Sequence, residues 1–335
     1  MRINMGDILQ NKLLARRANA PVYRVVGAKA PSGTANLGPG FDVFGLALDL
    51  FHDTVEIESV PNGGLTLTVE GVDQDQVSSE VDNNTAGLVG NRVMDAMRNQ
   101  EGLRIKLTKG IPVGKGLGSS AASAAACALA LNEMFRLELS QADLVSLTAH
   151  GETASAGTAH FDNAAAAVFG GFVVVCQEPL ELVSFKPPPD LEVAIAIPDV
   201  TLPKEKTKTM RDILPEAVDL ASLTCNVSHA SLFVAGMALS NIEMIGRAMI
   251  DLVVEPVRSR TIPMFASVKS AALDAGASGF AISGAGPTVI AICDRKRVNT
   301  KDVALAMKEA FERNDVPSEA YSSVPSSGAA VTEKR

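Results

Sequence analysis

The 335-residue sequence is marked first by what it lacks. Its four cysteines, Cys127, Cys176, Cys225 and Cys293, stand far apart with no C-x-x-C pair, which argues against a disulfide framework and fits buried, reduced thiols in a cytoplasmic protein. No run of Lys or Arg makes a nucleic-acid footprint, and 30 basic residues against 38 acidic ones leave a net charge of −8, so no nucleic-acid partner is expected. The longest small-apolar run, Ala121 to Leu131, is interrupted by Ser123 and falls well short of the roughly 20 residues of a membrane span, so no membrane partner is expected either. There is no internal repeat. The first 20 or so residues have no signal-peptide pattern, because their basic residues follow the apolar ones, and residues 1–21 read as an N-terminal extension without an assigned function.

What is present suits an enzyme with sizeable cores. Hydrophobic residues make up 47% of the chain, and its length favours about two domains. Alternating apolar residues predict strands over Val22–Ala28, Thr54–Val60, Leu65–Val69 and Leu103–Thr108, and helical spacing predicts helices over Thr85–Arg98, Ser119–Phe135 and Gln141–Ala154. The second of these helices carries almost no charge before Glu133 and should be buried on all sides. Gly170-Gly171 opens a strand, FVVVC, and Pro187–Pro189 marks a linker that divides residues 22–189 from residues 190–335. Beyond it come a strand over Leu191–Ile197, a mostly helical stretch over Ala217–Ala275, two apolar strands about Gly284-Ala285-Gly286, and a helix near Asp302–Arg313. The segment after Val316, rich in Ser, Ala and Pro, reads as a loosely held tail. This mixed order predicts α+β layers, helices packed on mixed or antiparallel sheets, in place of the regular alternation of a doubly wound fold.

Chemistry concentrates in residues 112–122, PVGKGLGSSAA. Gly114, Gly116 and Gly118 allow a ligand close to the backbone, and the alanine-rich helix that follows points its N–H groups and positive dipole end at that ligand. Ser119 and Ser120 fall where N-cap hydroxyls belong, and a hydroxyl there can cap the helix or turn to a metal-bound nucleotide. The loop is neither a Walker loop, since Lys115 is followed by Gly116, nor a convincing dinucleotide fingerprint.

The loop resembles the second motif of the GHMP kinases. The first motif of that superfamily is matched by KAPSGTANLGPGFDVFGLAL, Lys29 to Leu48, and the third by SGFAISGAGPTVIAIC, Ser278 to Cys293. Within it, residues 35–42, His160-Phe-Asp162-Asn163 and Glu255-Pro-Val-Arg258 look like homoserine kinases. The resemblance implies a two-domain fold with the active site in the cleft between domains, residues 22–189 binding ATP and residues 190–335 forming the C-terminal GHMP domain. It implies phosphorylation of L-homoserine to O-phospho-L-homoserine, a step towards threonine, with ATP and Mg²⁺ and as a homodimer. Mevalonate- or shikimate-type kinases and a non-catalytic ligand-binding member are the alternatives.

By the same resemblance Pro112, Gly114, Lys115, Gly116, Leu117, Gly118, Ser119 and Ser120 cradle the nucleotide, with Ser120 and Glu152 on the metal and Asn84 near the adenine. Asn84 begins a helix and is favoured as its cap. Arg211, which follows Thr207, and Arg258 match the carboxylate-binding positions, where a planar fork can donate two parallel bonds. Asn36, Asp42 and Asp162 match the ammonium-binding positions, though Asn36 and Asp42 also fit Asx turns. His160 would orient the substrate, and the Gly284-Ala285-Gly286 turn would approach it closely. Asn163 would position the reacting hydroxyl. An amide cannot act as a base, so the proton would pass to the transferred phosphate late in a loose transition state, and no partnership of Lys29 with Asp162 follows from the sequence.

Overall fold

A computed structural model describes Leu13 and residues 20–61, 63–97, 101–156, 159–201 and 206–335. Apart from Leu13, Ala20 and Pro21, the expected extension over residues 1–21 lies outside the described residues, as does Arg98 at the end of its helix.

The expected first strand is a fragment of something longer. Strands β1 (Val25–Asn36) and β2 (Gly40–Val60) run antiparallel, so the two halves of the first glycine-rich motif pair with each other, Ser32 opposite Leu48 and Ala35 opposite Gly45. Both faces of this stretch are covered, and residues 30–40 are buried without interruption. Alternation of polar and apolar residues vanishes where neither face meets water. Strands β3 (Leu65–Gly71) and β4 (Gly102–Lys109) form a parallel pair beside β2, and β5 (Phe172–Gln177) and β6 (Leu180–Phe185) extend the sheet from the other part of β2. Helices α1 (Thr85–Met97), α2 (Ser119–Met134), α3 (Gln141–Ala156) and α4 (Phe161–Phe169) belong to this layer. As its lack of charge predicts, α2 is a core helix, with Ala121 to Ala128, Ala130, Leu131 and Met134 buried.

The second sheet has the order β10 (Ser318–Ser323), β7 (Leu191–Pro198), β9 (Val289–Asp294), β8 (Gly279–Ile282), antiparallel throughout. Its strands have two dry faces. Val193, Ile195, Ile290 and Ile292 join the large core that includes Phe233 and Met237 of α6 (Leu220–Ala238) and Ile242 and Ile245 of α7 (Ile242–Arg247). Ala194, Ala196, Val289, Ala291 and Cys293 point the other way, into a second core with Val268 and Ala272 of α9 (Phe265–Asp274) and Val303, Met307 and Phe311 of α10 (Thr300–Glu312). Between these elements lie the short helices α5 (Lys206–Asp212) and α8 (Glu255–Arg258). The architecture is the expected α+β arrangement of helices on one mixed and one antiparallel sheet.

Among the described residues α6 is the one helix long and apolar enough, by length and composition, to cross a membrane. It packs Phe233 and Met237 into the core, and its Asn226 amide donates to Asp251 at 2.8 Å.

The tail after Val316 differs from expectation. It forms β10 on the edge of the second sheet and then β11 (Ala330–Lys334) on the edge of the first, where Val26 pairs with Lys334 and the Arg335 N–H donates to Val25 O at 3.0 Å. A division at residue 190 therefore leaves the last strand with the first sheet. Composition misled because backbone pairing to an existing edge needs no large side chains.

Candidate functional site

Where β4 ends, the chain enters the glycine-rich loop, and a buried carboxylate ties that loop down. Asp53, fully buried in β2, accepts from Gly110 N at 3.0 Å, Ile111 N at 3.1 Å and the Ser123 hydroxyl at 2.6 Å, and pairs with the Lys109 ammonium. Lys109 also donates to Ser119 O at 3.1 Å, joining the loop to the first turn of α2. Burial, more than Asp53 can offset, draws the Lys109 ammonium below its ordinary value. On the far side Ser283 Oγ donates to Gly116 O at 2.7 Å, Thr288 N donates to Lys115 O at 3.3 Å, and Gly33 N donates to Leu117 O at 3.0 Å. The loop is thus fixed by β2, α2 and the turn between β8 and β9 before any ligand arrives.

Of the two roles open to the serines, capping the helix is not the one taken. Gly118 is the N-cap, at φ 69°, and no side chain caps α2. Ser119 donates to Ile111 O at 3.1 Å, and Ser120 donates to Glu152 Oε1 of α3 at 2.7 Å. The helix N-terminus is left open to an anion. Glu152 is 2% exposed, and burial pushes its carboxyl up to about 8. A hydroxyl and a carboxylate in contact beside an anion cradle fit Mg²⁺, a hard cation commonly held by one or two carboxylates and phosphate oxygens, and the cation would favour the ionised form that burial penalises. No group of three or more His, Cys, Asp or Glu suited to a metal occurs among the described residues.

Loop and helix end open on a cavity of about 400 Å³. Gly114, Gly116, Leu117, Gly118, Ser119, Ser120 and Glu152 line one part of it, and Asn84 lines its wall with Gln76, Val77 and Ser78. Asn84 is the expected helix cap, accepting from Ala86 N at 2.9 Å. Pro112 and Lys115 do not line the cavity; the Lys115 ammonium lies 3.7 Å from Asp199.

The other end of the cavity holds both signs of charge. Asp42, at φ 58°, takes a bidentate pair from Arg211 of α5, at 2.9 and 2.9 Å. Arg258, 4% exposed, donates to Met210 O and Gly284 O, each at 3.2 Å, and burial lowers it to about 10. The Phe41 ring lies against both guanidiniums, 5.4 Å from Arg211 and 5.1 Å from Arg258. Asn36 accepts from Asp42 N at 3.1 Å and donates to Gly284 O at 2.9 Å, which is neither an Asx turn nor a cavity contact: it fastens the Asp42 loop to the β8–β9 turn. Asn36, Leu37 and Asp42 all have left-handed backbones, a strain that these bonds hold in place.

Thr207, Gly284, His160 and Asn163 complete this wall. His160 Nε2 is buried with no hydrogen-bond partner among the described residues, and burial lowers the ring's pKa, so the imidazole is neutral at pH 7. Asp162 lies beneath the surface, not on it. Its carboxylate accepts from Asn163 N at 2.8 Å and Asn163 Nδ2 at 3.2 Å, and burial followed by the charge of Asp42 pushes it up to about 7. Lys29 is exposed on β1, whereas Asp162 is buried. Phe41, Asp53, Lys109 and Lys206 had no place in the expectations. Asp53 and Lys109 meet across 56 positions of chain, a distance at which no local pattern exists.

Comparison with known proteins gives one consistent result. The pattern of the GHMP kinases N terminal domain matches residues 86–171, and that of the GHMP kinases C terminal domain matches residues 233–314. The chain is 41% identical over 271 residues to a homoserine kinase of Methanococcus maripaludis, covering 80% of this chain and 88% of the relative. It is 38% identical over 311 residues to that of Halorubrum lacusprofundi, covering 92% and 100%. The crystal structure of homoserine kinase from Cytophaga hutchinsonii superposes with a TM-score of 0.86 at 35% identity, covering 93% of this chain and 98% of that one. Mevalonate kinase of L. major, at 15% identity and a TM-score of 0.62, shares the fold alone.

Proposed function

The chain belongs to the homoserine kinases of the GHMP family, and we propose that it transfers the terminal phosphoryl group of ATP to the side-chain hydroxyl of L-homoserine, giving O-phospho-L-homoserine and ADP. The observation that carries this reading is that one cavity joins a glycine-rich loop at an open helix N-terminus to a site with two arginines and an aspartate. That is the complement of a polyphosphate at one end and of an α-amino acid zwitterion at the other.

Arg258 and Arg211 hold the α-carboxylate, and Asp42 receives the α-ammonium while keeping Arg211 in place. Asn163, aimed by Asp162 behind it, positions the hydroxyl, and the free Nε2 of neutral His160 orients the amino acid. The loop from Gly114 to Ser120 holds the phosphates through backbone N–H groups. Ser120 and Glu152 hold Mg²⁺, which when bound neutralises charge on the phosphate oxygens. The hydroxyl oxygen attacks the terminal phosphorus in line, the bond to the bridging oxygen of ADP breaks, and the hydroxyl proton passes to the transferred phosphate. Asp162 keeps a structural part in this scheme, because it lies off the cavity with one oxygen already accepting twice from Asn163.

The unpaired cysteines support a cytoplasmic setting, and the exposed apolar residues Leu220, Leu223 and Val227 of α6 support a homodimer. An ADP-release assay with ATP, Mg²⁺ and homoserine, threonine, mevalonate, shikimate or galactose tests the reading. Homoserine should be used far more efficiently than the rest, and a preference for mevalonate would overturn it.

A further inference from the structure

Lys206 belongs to none of the three motifs, yet it sits where their products meet. Its ammonium donates to Gly114 O of the phosphate loop at 2.7 Å and to Gly286 O of the β8–β9 turn at 2.5 Å. It also lines the cavity, beside Gly114, Gly116 and Thr207. An ammonium has three donors, and two of these are engaged by carbonyls. Neither carbonyl carries a charge, and no carboxylate among the described residues pairs with Lys206. Burial first, and then, among the described residues, the charges of Arg258 of α8 and Lys115 of the loop, both cations, lower it to about 7. A buried cation with cationic neighbours and one donor left over is matched by an anion in the cavity.

The helix that Lys206 begins makes this more than a local matter. Five residues on, Arg211 pairs with Asp42, and between them Met210 O receives the Arg258 Nε–H. One short helix therefore reaches from the phosphate loop to the amino-acid clamp. Resting on the phosphoryl-transfer reading above, we propose that Lys206 binds the nucleotide phosphates directly and, through α5, makes the binding of nucleotide and amino acid interdependent.

Two consequences separate this role from a structural clamp. An anion placed against a partly protonated amine raises its proton affinity, while a cation on Glu152 releases a proton there. On binding of Mg²⁺ and β,γ-imido-ATP near pH 7.5, Lys206 should therefore take up a fraction of a proton, read as the difference in net proton exchange between the unaltered protein and Lys206→Met. Calorimetry in two buffers of different ionisation heat measures that exchange. In Lys206→Met this uptake should be missing from the net exchange, nucleotide affinity should fall about ten- to one-hundred-fold, as for loss of one charged hydrogen bond, and homoserine should bind equally well with and without the analogue. Lys206→Arg should keep most of the affinity and the interdependence but lose the proton uptake, because a guanidinium does not titrate there. The inference is overturned if a folded Lys206→Met protein keeps its nucleotide affinity within about twofold, or if the arginine variant shows the same net proton exchange as the unaltered protein. All these readouts are of binding. Failure of the unaltered protein to phosphorylate homoserine would therefore count against the functional reading and leave the assignment of Lys206 to be decided by the calorimetry.

Discussion

At Glu152 a carboxyl is buried to 2% exposure against the hydroxyl of Ser120, and burial, only partly offset by that hydroxyl, pushes it up to about 8. An acid in that state is a poor metal ligand until the cation arrives to favour its charge. Glu152→Gln retains an acceptor for Ser120 and removes the charge. Turnover should fall at least ~100-fold while the melting temperature is kept, and near-normal activity at limiting Mg²⁺ would return Glu152 to a packing role. Asp162 gives a prediction about stability. Folded, it holds its proton up to about pH 7, but unfolded it releases it near 3.8, so between those values the folded form binds the extra proton and stability falls as pH rises. The ligand-free protein should melt lower at pH 8 than at pH 5.5, and Asp162→Asn should shrink the difference. An unchanged pH profile in the variant would show that the carboxyl titrates as an ordinary exposed group. Glu152 and Asn163 were picked out of the sequence because they stand within family patterns, and both line the cavity; Asp162, picked out the same way as a substrate contact, lies beneath it. Asp53, Lys109 and Phe41 were not picked out, because what they do depends on partners brought together only by the fold.

The phosphate loop shows how far an element's chemistry can be read from its letters. Its glycines were expected to admit a ligand, but they are needed for different reasons. At Gly116, φ 85°, an added Cβ would stand 2.4 Å from Ser283 O and 2.7 Å from Gly286 O, so the missing side chain admits the β8–β9 turn. At Gly118, φ 69°, the nearest atom to such a Cβ is 3.4 Å away, and only the left-handed backbone demands glycine. Gly118→Ala should therefore cost about 1–2 kcal/mol by urea unfolding. Gly116→Ala should cost clearly more and weaken nucleotide binding, since backbone must move; equal costs would contradict the contact. Alternation identified strands with one wet face, such as Thr54–Val60, and missed Ser32 to Leu48, where β1 and β2 are covered on both sides. The lack of charge in α2 predicted its burial directly, since a helix with no polar face has only the core to occupy.

Across the whole molecule, the two sheets and the two motif-bearing turns were foreseeable, but the return of the C-terminus to the first sheet was not, because β11 is recruited by the free edge of β1. The outer face of α6 has a similar unmet demand: Leu220, Leu223 and Val227 are exposed on a helix with no charged residue. Val227→Glu should convert a homodimer to a folded monomer by light scattering, and an unaltered dimer would place the interface elsewhere. The central claim remains that one cavity holds a nucleotide and an amino acid zwitterion, and the most direct measurement compares homoserine with homoserinol, which has the same reacting hydroxyl and ammonium but no carboxylate. With saturating ATP and Mg²⁺, kcat/KM should be at least ~100-fold higher for homoserine, and Arg258→Leu should abolish that preference by removing a clamp worth roughly 2–5 kcal/mol, with the KM for ATP little changed. If the unaltered protein phosphorylates both equally well, the arginines do not read a carboxylate and the account is wrong.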